Sequence, residues 1–232
     1  MTQLQIAAAD GGSFSGYLAL PAKTPAPALV VIQEIFGVNQ GMRDLCDWFA
    51  AQGYVAVSPD IFWRIEPDVQ LTDKTEAEWQ KAFDLMNRFD QDQGVEDLKS
   101  TLSALREHDA TTGKVGSVGY CLGGRLAFLM GSRSDSDANV SYYGVGLDGL
   151  LDELRQINKP LMLHIASEDQ FVPKEAQDKI TAAVAGNALI AAHVYEGNDH
   201  AFARVGGAHY DAAAAQTAND RSLTFFGEHL KS

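Results

Sequence analysis

One stretch of the chain is suited to nucleophilic chemistry. In Gly119-Tyr120-Cys121-Leu122-Gly123-Gly124 a cysteine stands two residues from a glycine on either side, the G-x-S-x-G arrangement with cysteine in place of serine. A nucleophile on a tight strand-to-helix turn has strained backbone angles, so the residues beside it must be small. The turn lifts the sulfur above the sheet edge. The N-terminus of the following helix favours a thiolate and a developing oxyanion. Such a thiol needs a base, and the base needs a carboxylate to hold its tautomer. The expected chain order is nucleophile, acid, histidine, with the last two after later strands. Asp169 in Ala166-Ser167-Glu168-Asp169 and His200 in Glu196-Gly197-Asn198-Asp199-His200 stand in those places. Glu168 and Asp199 are adjacent competitors for the acid role.

Further residues bear on the same chemistry. Glu34 follows the apolar run 28–33 (ALVVIQ), and the carboxyl ends of parallel strands are where ligands bind. It is either a carboxylate close to the sulfur or a solvated one at a strand end. The loop there is also where a second oxyanion donor belongs, the Ile35 N–H beside that of Leu122. Arg204 lies one helical turn after His200 and is either a bidentate anchor for an acidic substrate or a solvated cation. Cys46 falls on the apolar stripe of a helix, where a free cysteine is a small core residue. His164 and His193 lie inside strand patterns; His108, His209 and His229 lie on helices or at their ends. No cluster has metal-ligand spacing, and no G-x-G-x-x-G follows a strand, so neither metal nor other cofactor is expected.

These residues need an alternation of strands and helices to position them. Apolar runs mark strands at 4–8, 14–20, 28–33, 54–58, 114–120, 138–143, 160–166 and 189–195, and continuous rather than alternating apolarity points to strands buried on both faces. Helical patterns cover 42–52, a stretch beginning at Asp73…Glu76 and bearing Trp79 and Phe83, 94–106, 122–131, 173–185 and 208–230. Alternating elements of this kind make a mostly parallel sheet with right-handed crossovers and helices on both faces. No repeat or linker interrupts them, so residues 1–232 are expected to form a single domain.

Composition bounds the function. The chain has 232 residues, 46% hydrophobic and 21% charged, which is ordinary for a globular protein. With 18 basic against 31 acidic residues, net −13, binding to nucleic acid or to an anionic membrane is disfavoured. Two cysteines make no disulfide framework, so a reducing compartment is the default. The N-terminus resembles no signal peptide, and no apolar run is long enough to span a membrane. A cytoplasmic protein, monomeric and acting on a small molecule, is the expectation.

The motifs together resemble the dienelactone hydrolases (carboxymethylenebutenolidases), cysteine-dependent members of the α/β-hydrolase fold. Gln33-Glu34-Ile35-Phe36-Gly37, Ser58-Pro59-Asp60, Gly94-Val95-x-Asp97-Leu98, the elbow itself and His200-x-Phe202-x-Arg204 carry the resemblance. It implies a Cys121–Asp169–His200 triad and a Glu34 that contacts the resting thiol and helps deprotonate it when substrate enters. It implies that Arg204 binds a substrate carboxylate and that an enol-lactone is opened through an acyl-enzyme. The best-known members carry a second arginine and a tyrosine on the helix where this chain has Trp79 and Phe83; Arg88 is displaced along it. Ala201 stands where serine is common, and Arg125 where a small residue is. The departures fall on the substrate pocket rather than on the triad. Alternatives are a general carboxylesterase or thioesterase with the same triad, or a thiol redox or covalent-binding protein.

Overall fold

The computed structural model describes residues 2–231. Eight strands carry the order β1-β2-β4-β3-β5-β6-β7-β8. The chain divides into two compact units, Met1–Ser117 and Val118–Ser232.

In the first unit, β1 (Thr2–Ala7) and β2 (Ser13–Ala19) form an antiparallel hairpin, with Ala7 opposite Ser13. The turn between them passes through Gly11 at φ +98°, a conformation that glycine adopts without a Cβ clash. β2 pairs antiparallel with β4 (Val55–Pro59), and β4 pairs parallel with β3 (Ala26–Ile32). Every β4 residue and nearly every β3 residue is buried, as unbroken apolar runs require. Helix α1 (Gln40–Ala51) is capped by the Asn39 side chain and buries Met42, Cys46, Phe49 and Ala50.

Helix α2 (Glu76–Arg88) starts later than the Asp73…Glu76 pattern suggests. Thr75 is the cap: its Oγ1 accepts the Glu78 N–H and donates to the Glu78 carboxylate, a Thr-x-x-Glu start two residues later than Asp73…Glu76. The Asp73 carbonyl instead accepts the Trp79 indole N–H at 3.1 Å. Helix α3 (Gln91–Glu107) likewise begins before Gly94, because the Asp90 carboxylate caps the N–H groups of Asp92 and Gln93. From α3 the buried Asp97 accepts from Arg64 and from the Trp63 indole, each at 2.8 Å, and Arg64 also reaches Asp10. A buried carboxylate is tolerable when paired and hydrogen-bonded in this way. The pairing holds the connection after β4 against both the first hairpin and α3.

Strand β5 (Thr111–Tyr120) leads into the second unit. There α4 (Leu122–Arg133), α5 (Lys174–Val184) and α6 (Ala212–Leu230) alternate with the strands β6 (Asn139–Tyr142), β7 (Leu161–Ala166) and β8 (Ile190–Tyr195). β6, β7 and β8 are parallel, with Tyr142 level with His164 and His164 level with His193. A 3-10 helix, Leu147–Gln156, lies between β6 and β7; Leu147, Leu150, Leu151 and Leu154 recur there at helical spacing, an element missing from the expectations above. Helix α6 begins at Ala212 rather than at 208, because the Asp211 side chain caps it by accepting the Ala214 N–H.

A buried polar seam joins these strands to α6. His164 Nδ1 lies 2.8 Å from the Tyr195 hydroxyl, and its Nε2 2.9 Å from Ser222 Oγ. Ser222 also meets the Tyr142 hydroxyl, which reaches Asn219. Burial holds His164 well below the usual histidine pKa, aided by His193 and Arg221 nearby. No helix among the described residues is long and apolar enough to cross a membrane.

Candidate active site

The elbow is built as the glycines require. Cys121 sits between β5 and α4 at φ 56°, ψ −113°, a region that costs about 1–3 kcal/mol for a residue with a Cβ. Its N–H donates to the Tyr142 carbonyl at 3.1 Å. A side chain at Gly119 would collide with the Gly123 carbonyl, and one at Gly124 with the Tyr142 carbonyl. The close approach of β5 to the first turn of α4 therefore admits only glycine. Leu122 is the first residue of α4, so its N–H lies outside the intrahelical ladder and is available to a ligand.

Asp169 lies in the loop after β7 and His200 in the loop after β8. The carboxylate oxygens of Asp169 stand 2.8 and 3.0 Å from His200 Nδ1. Oδ1 also accepts the N–H groups of Phe171 and Val172. Both side chains are buried. With Nδ1 engaged, Nε2 is the nitrogen left to face the sulfur; it is buried and makes no well-formed hydrogen bond, as resting active sites often show. Burial opposes a charge on His200. The interactions with Cys121 and with Asp169 outweigh it, and the His200 pKa rises to about 10. The set therefore favours an imidazolium next to the cysteine.

The competing carboxylates are placed elsewhere. Glu168 is exposed and accepts the Ser167 hydroxyl. Asp199 accepts backbone N–H groups and pairs with His209. The two loops are also joined directly: Ser167 N–H donates to Tyr195, Glu168 N–H to Asn198, and Gly197 N–H to Ser167 Oγ.

Two further residues close around His200 that sequence reasoning did not single out. Tyr143 packs edge-on to its ring at 5.1 Å and Phe171 at 4.8 Å. Phe171 is 40% exposed. Tyr143 has φ 38° and Ala201 φ 63°, so three non-glycine residues in positive-φ backbone gather at this site. Tyr143 directly follows β6, although the apolar run 138–143 includes it as the last strand residue; the end of a strand was the available signal. Arg204 is half-buried in the turn after His200, its N–H donating to the Ala201 carbonyl.

Glu34, Ile35, Trp79 and Phe83 belong to the first unit. Glu34 and Ile35 are buried directly after β3, and Gln33 fixes that loop by donating to the Glu34 carbonyl and accepting the Ile61 N–H. Phe36 meets Trp79 edge-on at 4.9 Å, and Trp79 meets Phe83 at 5.6 Å. The strand-end loop and α2 thus share one aromatic cluster. Arg88 is exposed, pairs with Asp84 at 3.0 Å, and points away from the Trp79–Phe83 stripe, being five residues past Phe83 on a helix of 3.6 residues per turn. Cys46 is fully buried with its thiol pKa pushed far up by burial, a core residue as expected. Among the described residues no cluster of His, Cys, Asp or Glu could hold a metal ion.

Residues 14–230 match the model of the dienelactone hydrolase family. The chain belongs to that family. A carboxymethylenebutenolidase from Pseudomonas putida is 41% identical over 222 residues, covering 96% of this chain and 94% of that protein. A provisionally named carboxymethylenebutenolidase from Azospirillum brasilense is 60% identical over 232 residues, covering 99% of this chain and all of that one. The crystal structure of a provisionally named dienelactone hydrolase from Klebsiella pneumoniae superposes with a TM-score of 0.85 at 27% identity, covering 98% of both chains. The mostly parallel eight-stranded sheet is accordingly that of an α/β-hydrolase. This member of the dienelactone hydrolase family is a hydrolase that acts on ester or lactone bonds.

Proposed function

We propose that this chain opens a lactone or activated ester through a thioester formed on Cys121. The observation that carries the reading is the buried Asp169–His200 pair beside a cysteine held in a positive-φ elbow. The thiolate attacks the carbonyl carbon, and the carbonyl electron pair moves onto oxygen. The Leu122 N–H, with that of Ile35 as second donor, stabilises this oxyanion. On its collapse the ring C–O bond breaks, and the His200 imidazolium gives its proton to the leaving oxygen. Water then attacks the thioester while His200 takes its proton, and the C–S bond breaks to release the acid. Asp169 holds the imidazole orientation throughout.

On the family's pattern Glu34 assists deprotonation of the thiol and Arg204 takes a substrate carboxylate. Trp79 and Phe83 supply apolar substrate contacts. A dienelactone-type substrate fits Arg204. A neutral ester is the second reading, favoured because α2 presents Trp79 and Phe83 while Arg88 is paired with Asp84 on another face. The test is a panel of acidic lactones and neutral aryl esters with the wild type and Cys121→Ala in parallel. Turnover that survives Cys121→Ala overturns the mechanism; the ratio of acidic to neutral turnover decides the substrate class.

A further inference from the structure

Asp199 immediately precedes the catalytic histidine, and its carboxylate is tied on three sides. Oδ1 accepts the His200 N–H at 2.6 Å and the Gln170 N–H at 3.0 Å. Gln170 is the residue after Asp169, so one oxygen bridges the backbones of the loops that carry the acid and the base. The other oxygen, Oδ2, lies 2.8 Å from His209 Nδ1, with the Gln170 amide at 3.5 Å. The histidine pair is partly exposed, 39% for His209 and 26% for Asp199, and an exposed ion pair alone contributes little. The weight lies in the two backbone hydrogen bonds to an ionised acceptor, which are stronger than neutral ones. Burial of Asp199 is outweighed by these donors and by the nearby His209 and His200, so its carboxyl titrates below the usual range.

We propose that Asp199 is a positioning residue that sets the Asp169–His200 geometry, with His209 holding its carboxylate in place. The inference rests on the triad reading above. Bridging the two backbones at the positions adjacent to the pair fixes the separation between the Asp169 carboxylate and the imidazole. Catalytic geometry is sensitive at this scale, since a misplacement of about 1 Å costs on the order of a hundredfold in rate. Asp199 also adds a negative charge near His200. Cys121 at the elbow, Asp169 after β7 and Tyr143 after β6 also face that imidazole, and His209 stands on the Asp199 carboxylate.

The experiment measures kcat and KM on a neutral aryl ester from pH 6 to 10.5 for the wild type, Asp199→Ala, Asp199→Asn, His209→Ala and Cys121→Ala. Asp199→Ala is expected to lower kcat by about tenfold or more with KM little changed. Asn keeps an oxygen for both N–H groups, so Asp199→Asn should recover most of that loss. It lacks the charge, so the alkaline limb of kcat, where His200 gives up its proton, should move down by about half a pH unit. His209→Ala should fall between the wild type and Asp199→Ala. Wild-type kcat with an unmoved limb, a melting temperature that drops while kcat holds, or Asn as damaging as Ala would each overturn the proposal. Should Asp199→Ala fail to fold, the limb in Asp199→Asn decides. Turnover surviving in Cys121→Ala overturns the triad reading itself, whereas a dead Cys121→Ala beside an unaffected Asp199→Ala overturns only this inference.

Discussion

Asp169 grips the His200 imidazole with both carboxylate oxygens while one of them also accepts the N–H groups of Phe171 and Val172. The Asp169 carboxylate is therefore positioned by its own loop backbone before it positions the imidazole. Phe171, whose N–H anchors the carboxylate, returns to pack its ring against the imidazole. Orientation of His200 depends on a closed circuit of neighbours rather than on a single hydrogen bond.

The two thiols should differ sharply in reactivity. Cys46 is fully buried, with burial and Asp47 both disfavouring its thiolate, whereas Cys121 stands beside a protonatable histidine. A thiol reagent applied to the native protein should count one group, and after unfolding two. Cys46→Ala should keep full turnover and lose about 1–2 kcal/mol of stability in urea titration, as small core truncations do. Labelling of both thiols in the native state would refute the assignment.

Acid stability should follow His164. Its folded-state pKa is held well below the usual value, so the unfolded chain binds the extra proton first. The contribution of this residue is complete above about pH 6.5 and is lost as pH falls below it, by up to about 1.4 kcal/mol per pH unit. Urea unfolding at pH 7.5, 6.5 and 5.5 measures the slope. In His164→Gln the slope below pH 6.5 should be shallower by nearly one proton; an unchanged slope assigns the acid sensitivity elsewhere.

Arg204→Ala should depress kcat/KM for carboxylate-bearing lactones by about tenfold to a hundredfold, the size of one lost charged hydrogen bond. Hydrolysis of a neutral aryl ester should hardly change. A ratio of the two substrates that is the same in both proteins makes Arg204 structural and moves the neutral-ester reading ahead.

Glu34→Gln should slow turnover by at least about tenfold, within the usual range for general acid–base assistance. The rate at which iodoacetamide alkylates the protein should change with it, because a carboxylate near a thiol alters its reactivity. Unaltered kinetics in both assays would leave Glu34 as a buried strand-end carboxylate.

The positive-φ elbow and the meeting of Asp169 with His200 were legible because each obeys a local rule. Glycine spacing forces the turn, and chain order places those two residues after strands. The unbroken apolarity of 28–33 and 160–166 likewise announced strands buried on both faces. What escaped depends on contacts between segments far apart in sequence. Nothing near Tyr143 or Phe171 says that both rings meet His200. Asp199 reads as a rival acid until its oxygens are seen on the Gln170 and His200 backbones and on His209. Helix starts moved for a simpler reason: Thr75, Asp90 and Asp211 outcompete nearby residues as caps because their side chains reach the free N–H groups. The 3-10 helix at Leu147–Gln156 does leave a stripe, Leu147, Leu150, Leu151 and Leu154, and was legible though not among the expected elements.

Cys121, Tyr143 and Ala201 all sit at positive φ, each in a conformation that glycine would adopt more easily. At Tyr143 the packing against Tyr120, Tyr142, His200 and Phe202 outweighs that strain. At Cys121 no such packing is at stake, so survival at high temperature and, on the proposed mechanism, turnover pull in opposite directions there. On that mechanism, only continued demand for the reaction keeps a sulfur in the bend.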